Sequence, residues 1–295
     1  MIAIVAHDAG GANHIYSWLK TGYLYINDVN LYVGGPAAKI FCDIKPRLRS
    51  NSLRHALSNT SLLVSGTGWA SSFEHDARVL AQKKKIKSIA VVDHWTNYRE
   101  RFSRDGKEVL PDEIWVTDKY AMEIAKKILP EVHISLHRND YLALQSQEIR
   151  KFSNSKREES RGKYFCNVLF VMEPTNQSWG GSKLLGEIQA FEFFIDNMKL
   201  LEIGKDVKII IKPHPADEMG KYDYCVSKHN NLSLKIESSL SLAELIAWSD
   251  IVVGCQTYAM VVALEAGKRV VSSIPPYAPK CILPYEQIMH LCNLS

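Results

Sequence analysis

Small and ionisable residues cluster directly after the short apolar runs of this sequence, and the first such cluster is the turn at residues 7–14. It carries Asp8, Gly10, Gly11 and His14 between an apolar run and a helical pattern. Glycines in such a turn let a substrate approach the backbone at a helix N-terminus, where Asp8 or His14 could act as a base. Alternatively, Asp8 caps the helix and the glycines only form the turn. Because GxGxxG spacing and a P-loop motif are both missing, we expect neither NAD binding nor P-loop chemistry.

Two further turns in the first half carry candidate residues. Thr67 lies between two glycines, and Asp93 stands next to His94. The first turn could bind an acceptor substrate, and Asp93 or His94 could take a proton from it. Close packing of a strand against a helix explains the first turn equally well, and a lone histidine is often a structural residue. We take Asp8, Asp93 and His94 as the candidate catalytic residues.

The second half contains a histidine between two prolines, at residues 212–215. Proline fixes φ and removes a backbone donor. His214 is therefore held rigidly after an apolar run, where its imidazole could donate a hydrogen bond to a phosphate oxygen. The alternative is a stiff turn with an exposed histidine. Glu173 and Asn176 follow another apolar run and are candidate residues of the same cleft.

A second phosphate contact is predicted where Gly254, Gln256 and Thr257 lead into a helix. The amides and the dipole of a helix N-terminus favour an anion. Glu265 lies eight residues after Thr257, near the C-terminus of the same helix, where a carboxylate needs a partner. A ribose diol is one such partner, and the alternative is a surface glutamate before the glycine that ends the helix.

Strands must position these residues, and both halves alternate apolar β-branched runs with helical periods. This alternation predicts an α/β fold with parallel, doubly wound sheets and right-handed crossovers. Ligands of such sheets bind beyond the carboxyl ends of the strands, which is where the candidates fall. The predicted strands are residues 2–6, 29–33, 61–65, 88–92, 114–117 and 133–136, then 167–172, 207–211, 232–236, 250–253 and 269–273.

Helices and a polar segment complete the predicted organisation. An N-terminal Rossmann-like domain is predicted at 1–145, a linker that could be partly helical at 146–163, and a C-terminal Rossmann-like domain at 164–295. The linker is polar and carries few apolar residues. The predicted helices include residues 71–82, 119–129, 184–201, 241–248, 257–266 and 285–291.

Composition excludes several classes of protein. The formal net charge of +4 is too small to indicate nucleic-acid binding. Neither a secretory signal nor a membrane-spanning run is evident, so we expect a cytoplasmic protein. The six cysteines have no CxxC pair or companion histidines, and we expect reduced, mostly buried thiols and no metal site. The lysine-rich run at 83–87 predicts a solvated helix end, with a peripheral membrane contact or a polyanion contact as the alternative.

A resemblance emerges where a His-Pro pair, a strand ending in glycine, a helix and a Glu-Ala-Gly sequence follow one another, at residues 212–215, 243–254 and 265–270. This layout resembles the GT-B superfamily, and is similar to bacterial sialyltransferases and capsule-type transferases and to related nucleotide-sugar hydrolases and epimerases. The resemblance implies two Rossmann-like domains whose parallel sheets face each other across a cleft. It implies that the C-terminal half holds the donor, with His214 and the Thr257 turn on phosphate and Glu265 on ribose. The N-terminal half would hold the acceptor and supply the base, without a required metal.

These observations together predict a glycosyltransferase that moves a sugar from a nucleotide-activated donor to a surface polysaccharide or glycolipid, such as capsule or lipopolysaccharide. The reaction would be inverting and metal-independent, and the nucleotide-sugar would be a substrate, with no bound cofactor. Asp8, Asp93 or His94 would deprotonate the saccharide or lipid-linked acceptor while helix-terminal amides and His214 stabilise the leaving nucleotide. One alternative is a nucleotide-sugar hydrolase or epimerase. Another is a non-catalytic nucleotide-sugar-binding subunit of a polysaccharide assembly complex.

Overall fold

The computed structural model describes residues 1–68, 71–156, 166–175, 177–204, 206–215 and 217–295, without the side chains of 154–156. The chain divides into two compact units, Met1–Ala143 and Leu144–Ser295, which we call unit 1 and unit 2. The predicted linker at 146–163 covers the end of a long helix and then residues 157–163, which lie outside the described residues.

Unit 1 is built on a parallel sheet of seven strands in the order β3-β2-β1-β4-β5-β8-β9, with a short antiparallel hairpin, β6-β7. The register aligns Ile2 of β1 with Val29 of β2 on one side and with Leu62 of β4 on the other. The elements are β1 (Ile2–Ala6), α1 (Ala9–Lys20), β2 (Val29–Val33), α2 (Gly35–Ile40), β3 (Leu48–Arg49), α3 (Leu53–Ala56), β4 (Leu62–Ser65), α4 (Phe73–Lys84), β5 (Lys87–Val91), β6 (Ser103–Arg104), β7 (Lys107–Glu108), β8 (Glu113–Val116), α5 (Lys119–Ile128) and β9 (His133–Leu136).

Both faces of the unit 1 sheet are covered by helices, which explains why its central strands are apolar throughout. Ile4 of β1 packs in one core with Ile15 and Trp18 of α1. Its neighbours Ala3 and Val5 face the other side and pack with Ala77 of α4. Because successive side chains of a strand point to opposite faces of the sheet, the five residues of β1 contribute to both cores.

Unit 2 repeats this architecture with six parallel strands in the order β12-β11-β10-β13-β14-β15. Val168 of β10 pairs with Ile209 of β11 and with Ile251 of β13. The hydrophobic core of unit 2 includes Phe191 and Phe194 of α7. α6 (Asp140–Lys156) spans the boundary between the units. The remaining elements are β10 (Cys166–Val171), α7 (Gly186–Asn197), β11 (Val207–Lys212), α8 (Asp223–Lys228), β12 (Ser233–Ile236), α9 (Leu242–Trp248), β13 (Ile251–Gly254), α10 (Tyr258–Glu265), β14 (Arg269–Ser272) and β15 (Met289–His290).

The predicted α/β class with two parallel sheets is confirmed, and two details of the sequence analysis are wrong. Residues 285–291 do not form a helix, because Met289 and His290 pair with β14 as an edge strand and a 3₁₀ turn begins at Leu291. Only Cys225 and Cys255 of the six free cysteines are buried, so the thiols are not mostly buried. Among the described residues, no helix is long and apolar enough to cross a membrane.

Candidate functional site

The strand orders locate a switch point in each sheet. In unit 1 the chain leaves β1 for β2 on one side and reaches β4 on the other, and in unit 2 β10 lies between β11 and β13 in the same way. At such a point the connections diverge and leave a crevice beyond the carboxyl ends of the two central strands, which is where open α/β sheets bind ligands. Ligand-binding residues are therefore expected directly after β1 and β4 in unit 1 and after β10 and β13 in unit 2.

His7 and Asp8 form a side-chain pair at the end of β1. His7 Nδ1 lies 2.7 Å from Asp8 Oδ1, and the two side chains are 21% and 27% exposed. Within the described residues Asp8 makes no capping hydrogen bond to α1, although it occupies the N-cap position. Its carboxylate contacts the neighbouring imidazole instead of the helix. His7 was not a candidate in the sequence analysis, because adjacency alone does not indicate that two side chains meet.

Glu74, in the first turn of α4, fixes the backbone of this pair. Its Oε1 accepts hydrogen bonds from the N–H groups of His7, at 2.7 Å, and Asp8, at 3.4 Å. The residue is only 1% exposed, and burial raises the pKa of its carboxyl group. Glu74 therefore ties α4 to the end of β1 across the switch point.

The glycines of the unit 1 turns make room for carboxylates of the chain itself. A Cβ on Gly68 would lie 2.1 Å from Asp8 Oδ2, and one on Gly10 would lie 1.6 Å from Asp93 Oδ2. Gly11 is needed for a close approach between α1 and the end of β4, since its Cβ would lie 2.9 Å from the Cα of Gly66. Carboxylates from other strand ends therefore require glycine at Gly10 and Gly68, and the backbone of the turn after β4 requires it at Gly11.

Asp93, at the end of β5, is held by an arginine. Arg101 Nη1 lies 3.0 Å from Asp93 Oδ1 and 3.2 Å from the hydroxyl of Thr67, and the Arg101 side chain is 7% exposed. Thr67 itself is buried and donates to the carbonyl of Val91 at 3.1 Å. Thr67 and Arg101 therefore brace the carboxylate of Asp93, and this ion pair was not predicted from the sequence.

The two other candidate histidines of unit 1 have distinct surroundings. His14 is 2% exposed, and burial lowers its pKa to about 4 against a smaller opposing effect of Asp93. Its ring lies 5.8 Å from that of Tyr141 in an edge-on contact. His94 is half-buried, its Nδ1 lies 3.2 Å from Thr96 Oγ1, and burial lowers its pKa. His14 is therefore a core residue of α1, while His94 lies at the end of β5 beside Asp93.

At the switch point of unit 2, Glu173 and Gln256 meet. Glu173 follows β10, and its Oε2 accepts the N–H of Gln256, two residues beyond β13, at 3.0 Å. Burial raises the pKa of Glu173, and the nearby Glu187 adds to the effect. The amide side chain of Gln256 accepts the N–H of Ile282 at 3.2 Å. The candidate Asn176 lies outside the described residues.

Thr257 is the N-cap residue of α10, and Glu265 is the last residue of this helix. The Thr257 hydroxyl accepts the N–H of Ala259 and thereby caps the helix. Glu265 is the exposed last residue of the eight-residue α10, about 12 Å along the axis from its start. Gly254 is packed inside the sheet, where a Cβ would lie 2.8 Å from Val171. The structure therefore brings Gly254, Gln256 and Thr257 together with Glu173 and separates Glu265 from them.

His214 follows β11 in a turn that a buried ion network stabilises. Its N–H donates to Asp217 Oδ2 at 2.8 Å, and the hydroxyl of Tyr222 donates to the same oxygen at 2.8 Å. Lys221 lies 2.7 Å from Asp217 and 2.8 Å from Glu187. Burial lowers the pKa of the half-buried His214 imidazole. The turn lines a pocket of about 450 Å³ that reaches Ser238 beyond β12.

No group of three or more His, Cys, Asp or Glu side chains is placed to hold a metal ion among the residues that the structure describes.

Solved structures with similar folds were found, whereas comparisons with protein-family models and with curated proteins gave no match. A putative UDP-N-acetylglucosamine 2-epimerase from Listeria monocytogenes is 10% identical with a TM-score of 0.59, over 91% of this chain and 78% of that one. The S. aureus MnaA–UDP co-structure is 11% identical with a TM-score of 0.58, over 92% and 78%. A glycosyltransferase from Rickettsia africae ESF-5 is 11% identical with a TM-score of 0.56, over 91% and 78%.

At this level of identity the likeness establishes the fold. It confirms the predicted α/β fold, with a parallel Rossmann-like sheet in each unit.

Proposed function

We propose that this chain binds a nucleotide-activated sugar through unit 2 and transfers the sugar to a hydroxyl-bearing saccharide or lipid-linked acceptor. The observation that carries the proposal is the arrangement at the switch point of unit 2, where Glu173, the amide of Gln256 and the start of α10 converge. A helix N-terminus favours the phosphates of a nucleotide, and a buried carboxyl group can accept hydrogen bonds from sugar hydroxyls.

The His214 turn supports a second contact to the donor. Its backbone is fixed by Asp217 and by the prolines on either side, so the imidazole is presented without the freedom of an ordinary loop. An oriented donor stabilises the charge that develops on a leaving nucleotide better than a mobile one does. The adjoining pocket of about 450 Å³ falls within the size range of small-molecule sites.

Proton transfer from the acceptor is assigned to unit 1, where Asp8, Asp93 and His94 follow β1 and β5. An inverting transfer needs one base, and it needs no metal where oriented donors neutralise the leaving phosphate. Capsule or lipopolysaccharide precursors are the acceptor class that we propose. Asp8 and Asp93 are partly exposed carboxylates at the ends of unit 1 strands, which favours a neutral hydroxyl over an anionic group.

Epimerisation of a nucleotide-sugar is the second candidate, because one structure with the same fold is named as a putative UDP-N-acetylglucosamine 2-epimerase. A group with a raised pKa, as burial gives Glu173 and Glu74, suits an enzyme that must both take and return a proton. Epimerisation yields an isomeric nucleotide-sugar without any acceptor, and hydrolysis yields a free sugar, so product analysis by NMR separates both from transfer.

A thermal-shift screen against CMP, CDP, UDP, GDP and their common sugar conjugates tests donor binding. A ligand at 100 times its Kd stabilises the folded protein by about 2.7 kcal/mol, which raises the Tm. We expect one nucleotide class to give the shift. Thr257→Ser should retain it, and His214→Ala should reduce it, while His290→Ala serves as a control on the far edge of the same sheet.

Thr257→Asp provides the sharpest variant of this test. Aspartate caps a helix as well as threonine does, so the Tm without ligand should hardly change. Its negative charge would repel a phosphate at the start of α10, and the ligand-induced shift should disappear. A full shift in this variant would contradict the phosphate assignment. A ligand that binds without any turnover would favour a non-catalytic binding subunit. If none of the nucleotides or nucleotide-sugars raised the Tm, the proposed function would be contradicted.

A further inference from the structure

The candidate bases of unit 1 differ in whether they can accept a proton from a substrate. His14 is buried within the core, and the carboxylate of Asp93 is already neutralised by Arg101 at 3.0 Å. His94 Nδ1 lies 3.2 Å from Thr96 Oγ1, and its ring lies 5.3 Å from that of Trp95. The half-buried pair His7 and Asp8 combines a partly exposed imidazole with a carboxylate at hydrogen-bonding distance.

The pair is held from several sides. The carboxylate of Glu74 accepts both backbone N–H groups of His7 and Asp8, which fixes the strand end from which the two side chains project. Gly35 has a φ of +50°, and a Cβ there would lie 2.5 Å from His7 Nε2. Together with Gly68, which admits the carboxylate of Asp8, this glycine leaves space for the pair that any larger residue would fill.

A histidine whose Nδ1–H donates to a carboxylate has its Nε2 lone pair available, and the carboxylate stabilises the imidazolium that forms when Nε2 takes a proton. In this arrangement Asp8 contacts Nδ1 at 2.7 Å, which leaves Nε2 as the accepting nitrogen. The pair also lies beyond β1 at the switch point, the place where this class of sheet binds ligands.

We propose that His7 is the catalytic base of the transfer and that Asp8 is the residue that positions it. This inference rests on the proposed function and replaces the choice among Asp8, Asp93 and His94 by a residue that the sequence analysis did not consider.

In the proposed reaction, the acceptor hydroxyl gives its proton to Nε2 of His7. The oxygen of this hydroxyl forms a bond to the anomeric carbon of the donor. The bond from that carbon to the nucleotide phosphate breaks, and the phosphate leaves with the electron pair. The imidazolium of His7, stabilised by Asp8, returns the proton to water.

Chemical modification tests the pair without any substrate. Diethyl pyrocarbonate reacts with the unprotonated nitrogen of an imidazole, and mass spectrometry resolves the rate at each histidine. We expect Asp8→Asn to slow the reaction of His7 in the intact chain, because the carboxylate that enhances the nucleophilicity of Nε2 is lost. The exposed His133 should react at the same rate in both proteins. An unchanged rate at His7 would overturn the proposal, whether or not the donor has been identified.

Turnover tests the catalytic role. His7→Asn should lower kcat by about 10²–10⁴-fold, the usual contribution of a general base. The nucleotide-induced thermal shift should remain, because the donor binds unit 2. His133→Gln serves as the control with unchanged kcat. If His94→Gln loses turnover while His7→Asn retains it, His7 is not the base. If no nucleotide binds even the wild-type protein, the proposed function fails, and the modification rates still decide whether Asp8 activates His7.

Discussion

At the scale of single residues, burial decides what an ionisable group can do, and His14 is the clearest case. Its pKa is lowered to about 4 because the folded protein keeps the ring neutral in an apolar environment. The unfolded chain takes up this proton below its ordinary pKa of 6.5, so the folded state loses stability as the pH falls from about 6.5 to about 4. The loss from this one group is about 3 kcal/mol, and it stops growing below the lower value.

His14→Gln removes this titration, and urea unfolding between pH 4 and pH 7 measures the result. We expect the free energy of unfolding of the variant to fall less steeply with acid than that of the wild type. The carboxyl groups of Glu74 and Glu173, whose raised pKa values give the opposite slope, are present in both proteins and cancel in the difference. The exposed His133→Gln is the control and should run parallel to the wild type. Equal slopes for His14→Gln would contradict the buried neutral form.

Residue types at strand ends could be predicted from the sequence, whereas their contacts could not. The turns that carry Asp8, Asp93 and His94 were identified because small and ionisable residues followed apolar runs. That Asp8 contacts His7, and that Arg101 contacts Asp93, depends on side-chain directions set by the sheet. Arg101 lies eight residues beyond Asp93, in a 3₁₀ turn of the connection between β5 and β6. No periodicity of the sequence indicates where such a connection returns.

At the scale of elements, one lysine connects α7 to the turn that carries His214. Lys221 lies within 2.8 Å of Glu187 on α7 and within 2.7 Å of Asp217, and these carboxylates are 0% and 2% exposed. Removing the cation leaves two buried carboxylates close to each other. We therefore expect Lys221→Met to lower the free energy of unfolding by about 3–5 kcal/mol.

A lysine of α8, in the same unit, provides the matched control. Lys228 on α8 pairs with Glu192, but its side chain is 43% exposed, so Lys228→Met should cost less than about 1 kcal/mol. Urea unfolding of both variants gives the comparison. The Lys221 variant should also weaken nucleotide binding through the His214 turn. Equal small costs for the two substitutions would show that the buried network contributes little.

The elements themselves were well predicted where local signals agree. β1, β2 and β5 are short β-branched runs bounded by polar or small residues, and the predicted helix at 241–248 is α9, whose start Ser241 and Glu244 cap reciprocally. The predicted helix at residues 285–291 was wrong because the spacing of apolar residues there fits a helix, while pairing with β14 makes Met289 and His290 a strand. Tertiary pairing overrides local propensity in so short a segment.

At the scale of the whole molecule, the two units are alike in construction and different in chemistry. Each has a parallel sheet with a switch point, and each has its own hydrophobic core. In unit 1 the strand ends bring together His7 with the carboxylates of Asp8 and Glu74, whereas in unit 2 the start of α10 and the His214 turn offer hydrogen-bond donors. The strand ends of the two units therefore offer different chemical groups.

Separate cores predict that unit 2 folds by itself. A domain of about 150 residues buries enough surface to be stable alone, and the core around Phe170 and Phe191 uses only residues of unit 2. We expect a fragment of residues 144–295 to unfold cooperatively and to retain the nucleotide-induced thermal shift, because Glu173, His214 and Thr257 all belong to it. The fragment 1–143 should fold and show no such shift. Circular dichroism and the same ligand panel provide the measurement, with Thr257→Asp in the fragment as the control for specific binding. If fragment 144–295 folds but binds no nucleotide that the full chain binds, the donor site requires residues of unit 1.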